Sequence, residues 1–103
     1  MGTRQFIVPS PQGVNETIAY ALDVTVWGGT PASPTTMLYD VTAPSQYDDV
    51  SGTNLDGSAS VSGNIITTKQ VTALAAGHRY RINVGWTNSG NTLEAYGFIE
   101  AEQ

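Results

Sequence analysis

From residue 79 onward the chain alternates with a period of two. Tyr80, Ile82, Val84 and Trp86 fall on one side, and Arg79, Arg81, Asn83 and Gly85 on the other. Successive side chains of an extended strand point to opposite faces, so the spacing predicts a strand over residues 78–86 whose apolar set is buried. The next stretch, residues 92–101, is less tidy, because Leu93, Ala95, Gly97, Ile99 and Ala101 share one face while Glu94, Tyr96, Phe98, Glu100 and Glu102 share the other. With the aliphatic set inward, two rings stand outside near Arg79 and Arg81. A bulge at Gly97 would instead turn Phe98 into the core. Asn88-Ser89-Gly90-Asn91 between the two stretches tolerate positive φ, which predicts a hairpin.

Upstream, strand signals recur at short intervals between Gly, Pro, Asn and Ser. Residues 5–8 form a short first strand, stopped by Pro9 and Pro11, and residues 16–27 a long second one with Ile18, Tyr20, Leu22, Val24 and Val26 on its core face. After Gly28-Gly29-Thr30-Pro31 a third strand is expected near residues 35–41, then a polar, Asp-rich connection over residues 44–57. Residues 58–62 and 64–74 read as a hairpin turning at Gly63-Asn64. No segment has a helical pattern. About seven strands in 103 residues predict one all-β sandwich domain spanning residues 1–103.

Within residues 71–84, a strand meets a Gly-marked corner and a second strand that opens on a tyrosine. In an immunoglobulin-like sandwich a Tyr in this place sends its ring into the core and bonds its hydroxyl back to the corner backbone, which makes Tyr80 the candidate for that role. Leu74, Gly77 and Tyr80, each three residues from the last, resemble the E-to-F segment of fibronectin type III domains. Leu22-Asp23-Val24-Thr25-Val26-Trp27, then Gly63-Asn64-Ile65-Ile66-Thr67-Thr68 running into Leu74-Ala75-Ala76-Gly77, and later Thr92-Leu93-Glu94-Ala95, resemble small immunoglobulin-like virion proteins of tailed bacteriophages. Trp27 departs from the fibronectin pattern, because it falls on the opposite parity from Val24 and Val26. The resemblance implies a structural part of a phage particle, such as a capsid decoration protein, a head–tail component or a fibre-to-tail adaptor. Its partners would be other virion proteins and copies of itself in a symmetric array, and it would be made in the host cytoplasm.

Charge and chemistry narrow the function further. Four basic residues (Arg4, Lys69, Arg79, Arg81) against nine acidic ones give a formal charge of −5, which disfavours nucleic acid and anionic membrane as partners. There is no cysteine, so thiol nucleophiles, zinc–thiolate sites and disulfides are excluded. Residues 1–10 lack the apolar run of a signal peptide, and no stretch is long and apolar enough to span a membrane, so neither export nor anchoring is expected. His78 is the only histidine and stands beside Gly77 at a bend, where a solvent-facing or corner-bonding role outweighs acid–base work. Asp48-Asp49 and Asn54-Leu55-Asp56-Gly57 are rich in oxygen but lack the ordered spacing of a calcium loop. No metal, cofactor or catalytic residue is expected.

Tyr96, Phe98, Arg79 and Arg81 are the expected protein interface, since aromatic rings with arginine are the composition enriched at such surfaces. Unpaired sheet edges are a second candidate surface, although Glu94, Glu100 and Glu102 would protect the last strand. Two other functions fit less closely. A carbohydrate-binding or adhesion module would use Trp27, Tyr39 or Tyr47 as stacking platforms, and a cellular filament or surface-layer subunit has the missing signal peptide against it.

Overall fold

The computed structural model describes residues 4–5, 11–25 and 30–102. Among these, the elements run β1 (Arg4–Gln5), β2 (Gln12–Gly13), β3 (Ile18–Asp23), β4 (Ala32–Asp40), β5 (Asp48–Asp49), α1 (Ser51–Asn54), β6 (Leu55–Asp56), β7 (Ser60–Ser62), β8 (Ile65–Val71), β9 (Arg79–Asn88) and β10 (Asn91–Glu102). They form two sheets. The larger has the order β1-β10-β9-β4-β5, with β2 also on β10, and the smaller has the order β3-β8-β6, with β7 also on β8.

The inward faces of the two sheets meet in one core, as an all-β sandwich requires. The smaller sheet contributes Tyr20, Leu22, Ile66 and Val71, with Val24 just beyond β3. The larger contributes Leu38, Tyr80, Ile82, Val84, Trp86, Leu93, Ala95, Ile99 and Ala101. The alternation expected of β9 and β10 is therefore the one that folds. Gly97 lies on the buried side and Phe98 opposite it, with unbroken register from Asn91↔Asn88 to Glu100↔Arg79. The β9–β10 hairpin closes on Ser89 and Gly90, both at positive φ (51° and 85°), the condition of the two-residue turn that matches strand twist.

Two structural devices have no pattern in the sequence. The first is a bulge, where the β3–β8 register slips between Ala19 and Ala21. Thr68 Oγ1 accepts the N–H of Tyr20 there, and the N–H of Lys69 turns across the core to Thr36 Oγ1 on the other sheet. The second is Gln12, fully buried, which donates to the carbonyls of Glu16 and Val71 and accepts the Tyr20 hydroxyl at 2.7 Å. One amide thus ties β2 of the larger sheet to β3 and β8 of the smaller. Its donors and acceptor are all engaged, which is the condition for a polar group to lie in a core without large cost.

Three expectations need correction. The connection over residues 44–57 is not structureless. It holds β5, β6 and the helical turn α1, because Asp49 Oδ1 accepts the N–H of Ser51, Ser51 Oγ accepts the N–H of Leu38, and Asn54 Nδ2 donates to the carbonyls of Thr72 and Ala73. Strands number ten among the described residues rather than about seven, the surplus being pieces of two residues. The third strand begins at Ala32, three residues before the expected start. Trp27, Val26, Gly28-Gly29 and most of the expected first strand, residues 6–8, lie outside the described residues.

Candidate functional site

Register and alternation together build one surface. On the outer face of the larger sheet, neighbouring strands place Glu94, Gly85 and Thr35 in one cross-strand row, Tyr96, Asn83 and Met37 in the next, and Phe98, Arg81 and Tyr39 in a third. Arg79 and Glu100 lie opposite one another beyond the third row. The four expected interface residues are therefore brought together, and Tyr39, Tyr47 and Met37 join them.

The side chains form a stacked cluster. The Arg81 guanidinium sits 4.0 Å from the centroid of Tyr96 and 5.9 Å from that of Tyr47, and the Arg79 guanidinium sits 4.2 Å from that of Phe98. Tyr96 and Phe98 meet edge to face at 5.6 Å, while Tyr39 and Tyr47 stack at 4.4 Å. Arg81 Nε donates to Asn83 Oδ1 at 2.9 Å, which fixes the plane of the guanidinium over the Tyr96 ring. Each cation–π contact is worth about 0.5–1 kcal/mol at an exposed site. These contacts hold the side chains in fixed rotamers, and rotamers already ordered reduce the entropy cost of any contact made on them.

Solvent still reaches this cluster. Tyr47 keeps 52% of its surface exposed and Met37 36%, and Tyr39, Arg81, Tyr96 and Phe98 are half-buried. The Tyr39 hydroxyl is held above its usual pKa by desolvation, then by Tyr47, Asp49 and Glu94, with Arg81 opposing. Arg79 and Glu100 approach to 3.8 Å, but both are more than half exposed, so that pair adds little to stability.

The expected structural residues lie at the other side of the sheet. Tyr80 is buried and its hydroxyl accepts the N–H of Ala75 at 3.0 Å, Leu74 is in the core, and Gly77 takes φ +80° at the bend. His78 bonds Asp40 Oδ2 through Nδ1 at 2.7 Å, and Thr42 donates to the other carboxylate oxygen. The carboxylate therefore stands between imidazole and hydroxyl, so the imidazole is not placed to take the hydroxyl proton. Burial raises the Asp40 pKa, but hydrogen bonds from Thr42 and His78 outweigh it and hold the group below its usual value. Asn54 of the oxygen-rich loop spends its amide on backbone, and no group of three His, Cys, Asp or Glu side chains poised to share a metal occurs among the described residues.

Sequence reasoning missed the contributions of Tyr39, Met37 and Tyr47 to this surface. Tyr39 follows Leu38 and precedes Asp40, so the inward set of β4 (Thr36, Leu38, Asp40) is no more apolar than its outward set, and alternation gave no direction. The usable signal was the pairing of β4 with β9, which sets Tyr39 opposite Arg81. No protein-family model matches this chain, and no curated protein matches it in sequence.

Proposed function

We propose that this protein is a non-enzymatic assembly module with an immunoglobulin-like, fibronectin type III-like sandwich, and that it docks other proteins through the outer face of its larger sheet. The observation that carries this reading is the Arg79–Phe98 and Arg81–Tyr96 stacking on a solvent-facing sheet surface. Folding does not demand it, because the core is complete on the opposite face. The strand order supports the immunoglobulin-like assignment: a parallel first strand on the last, the last on β9, and β9 on β4, facing β3-β8-β6. The tyrosine bonded to its own corner supports it as well.

The setting is drawn from the resemblance of residues 22–27, 63–68, 74–77 and 92–95 to phage virion proteins. In that setting the protein is one of many copies on a capsid or tail, made in the host cytoplasm, with other virion proteins and itself as partners. A lattice of copies makes a modest interface sufficient through multivalency. The net charge of −5 favours a position away from packaged nucleic acid. The experiment is to purify particles carrying either the wild type or the Tyr96→Glu, Phe98→Glu double variant and quantify the protein by mass spectrometry. Stoichiometric wild type and absent variant are expected. Particles lacking the wild-type protein would end the virion reading.

A second reading rests on the Tyr39–Tyr47 stack, whose Tyr47 ring is the most exposed large apolar side chain among the described residues. A sugar face stacking on it would show as glycan-array binding lost in Tyr47→Ala.

A further inference from the structure

The same face carries a charge pattern that selects its occupant. It holds two of the chain's four basic residues, Arg81 in the third row and Arg79 just beyond it, and acidic groups stand around them: Glu94 in the first row, Glu100 opposite Arg79, and Asp49 opposite Tyr39 on β5. A strongly acidic partner would meet that rim unfavourably, and a basic one would meet the arginines. A surface with the same pattern, turned end for end, fits both.

Two sheets packing face to face can be related by a two-fold axis lying between them, either along the strands or across them. An axis along β9 would set each Arg81 on its own copy, like charge on like. An axis across the strands at the Tyr96–Asn83–Met37 row exchanges the rows on either side of it. Arg81 of one copy then lies over Gly85 of the other, beside Glu94, and Phe98 lies over Glu94 itself. The two Arg81 side chains end about 14 Å apart, four residues of strand rise and beyond the ~8 Å screening length. The receiving row is also low. Gly85 has no side chain, and Thr35 Oγ1 lies only 2.6 Å from where a Cβ would stand, so the space above the strand is shared by a hydroxyl rather than filled by a bulky group.

We propose that the occupant of this face is a second copy of the same chain, paired across a two-fold axis at the Tyr96–Asn83–Met37 row so that each Arg81 meets the other copy's Glu94. This rests on the docking role of the face proposed above and names its partner. The contact area is on the order of 500 Å² per partner, below the ~800 Å² of a standard interface, so the isolated pair is weak and concentration-dependent.

Sedimentation velocity across a concentration series tests it. Wild type is expected to associate as concentration rises, Arg81→Glu and Glu94→Arg each to weaken the dimer about tenfold or more, and the double charge exchange to recover it. Because the chain has no cysteine, Met37→Cys gives an independent readout. A short bismaleimide should join two copies through position 37, whereas Ala21→Cys on the smaller sheet should stay monomeric. A wild type monomeric at every concentration, or a double exchange that does not recover association together with no cross-link at position 37, overturns the pairing. If the wild type is monomeric but the Tyr96→Glu, Phe98→Glu variant is lost from particles, self-pairing falls and docking to a different virion protein stands. If that variant enters particles as wild type does, the docking role itself falls.

Discussion

The outer faces of the two sheets differ far more than their inner faces do. Inward, both are apolar and contribute to one core. Outward, the smaller sheet shows Ala19, Ala21 and Asp23 on β3 opposite Gln70, Thr67 and Ile65 on β8, a face whose exposed large apolar side chain is Ile65 and which carries no aromatic ring among the described residues. The larger sheet shows four aromatic rings and two arginines stacked on one another. Neither outer face belongs to the core cluster, so packing of that core does not account for the difference. The contrast supports the proposed reading of the stacked face as a contact surface, and under that reading stability and contact should respond to different substitutions.

The largest effect should come from the interior. Replacing Gln12 with Ala leaves the buried Tyr20 hydroxyl and the Val71 carbonyl without their partner, at a cost of about 3 kcal/mol. Urea denaturation should show that loss while association at the stacked face is unchanged in the folded fraction. An equal loss of both would join what the comparison separates.

Alkaline pH sharpens the same point. Burial, then the Glu16 carboxylate, pushes the Tyr20 hydroxyl up to about 12. A phenol with a raised folded pKa is favoured neutral in the folded state. Its contribution is therefore complete below the unfolded value near 10 and is lost as pH rises from there towards 12. Unfolding midpoints should fall through that window, and Tyr20→Phe should flatten the fall. At the corner, Tyr80→Phe strands the N–H of Ala75 and should cost about 1–2 kcal/mol by denaturation, again without touching association. Smallest of all, Ala21→Glu on the smaller sheet should shift stability by less than about 0.5 kcal/mol and leave association as it was.

Much of this contrast is legible in the order of residues alone. Period two in β9 and β10 places Tyr80, Ile82, Val84 and Trp86 inward and Tyr96 and Phe98 outward beside Arg79 and Arg81, because long strands with one buried face write their orientation into every second residue. The corner tyrosine is legible for a similar reason: its partner, Ala75, lies only five residues away. Two-residue strands such as β5 and β6 carry no period, so their stretch reads as loop. Gln12 is invisible because its partner Val71 lies 59 residues away, and a glutamine among polar neighbours carries no mark of burial. His78 is expected at a corner, but nothing in the spacing points to its partner Asp40, 38 residues upstream.

The most direct test compares the two outer faces in one pair of variants: Tyr96→Glu with Phe98→Glu on the larger sheet, and Ala19→Glu with Ala21→Glu on the smaller. Each is followed by denaturation and by sedimentation at high concentration. Both pairs should remain folded, with only the first losing association. Unfolding of the first pair would show that its rings serve the core, and equal association by both would contradict the stacked face as the contact surface.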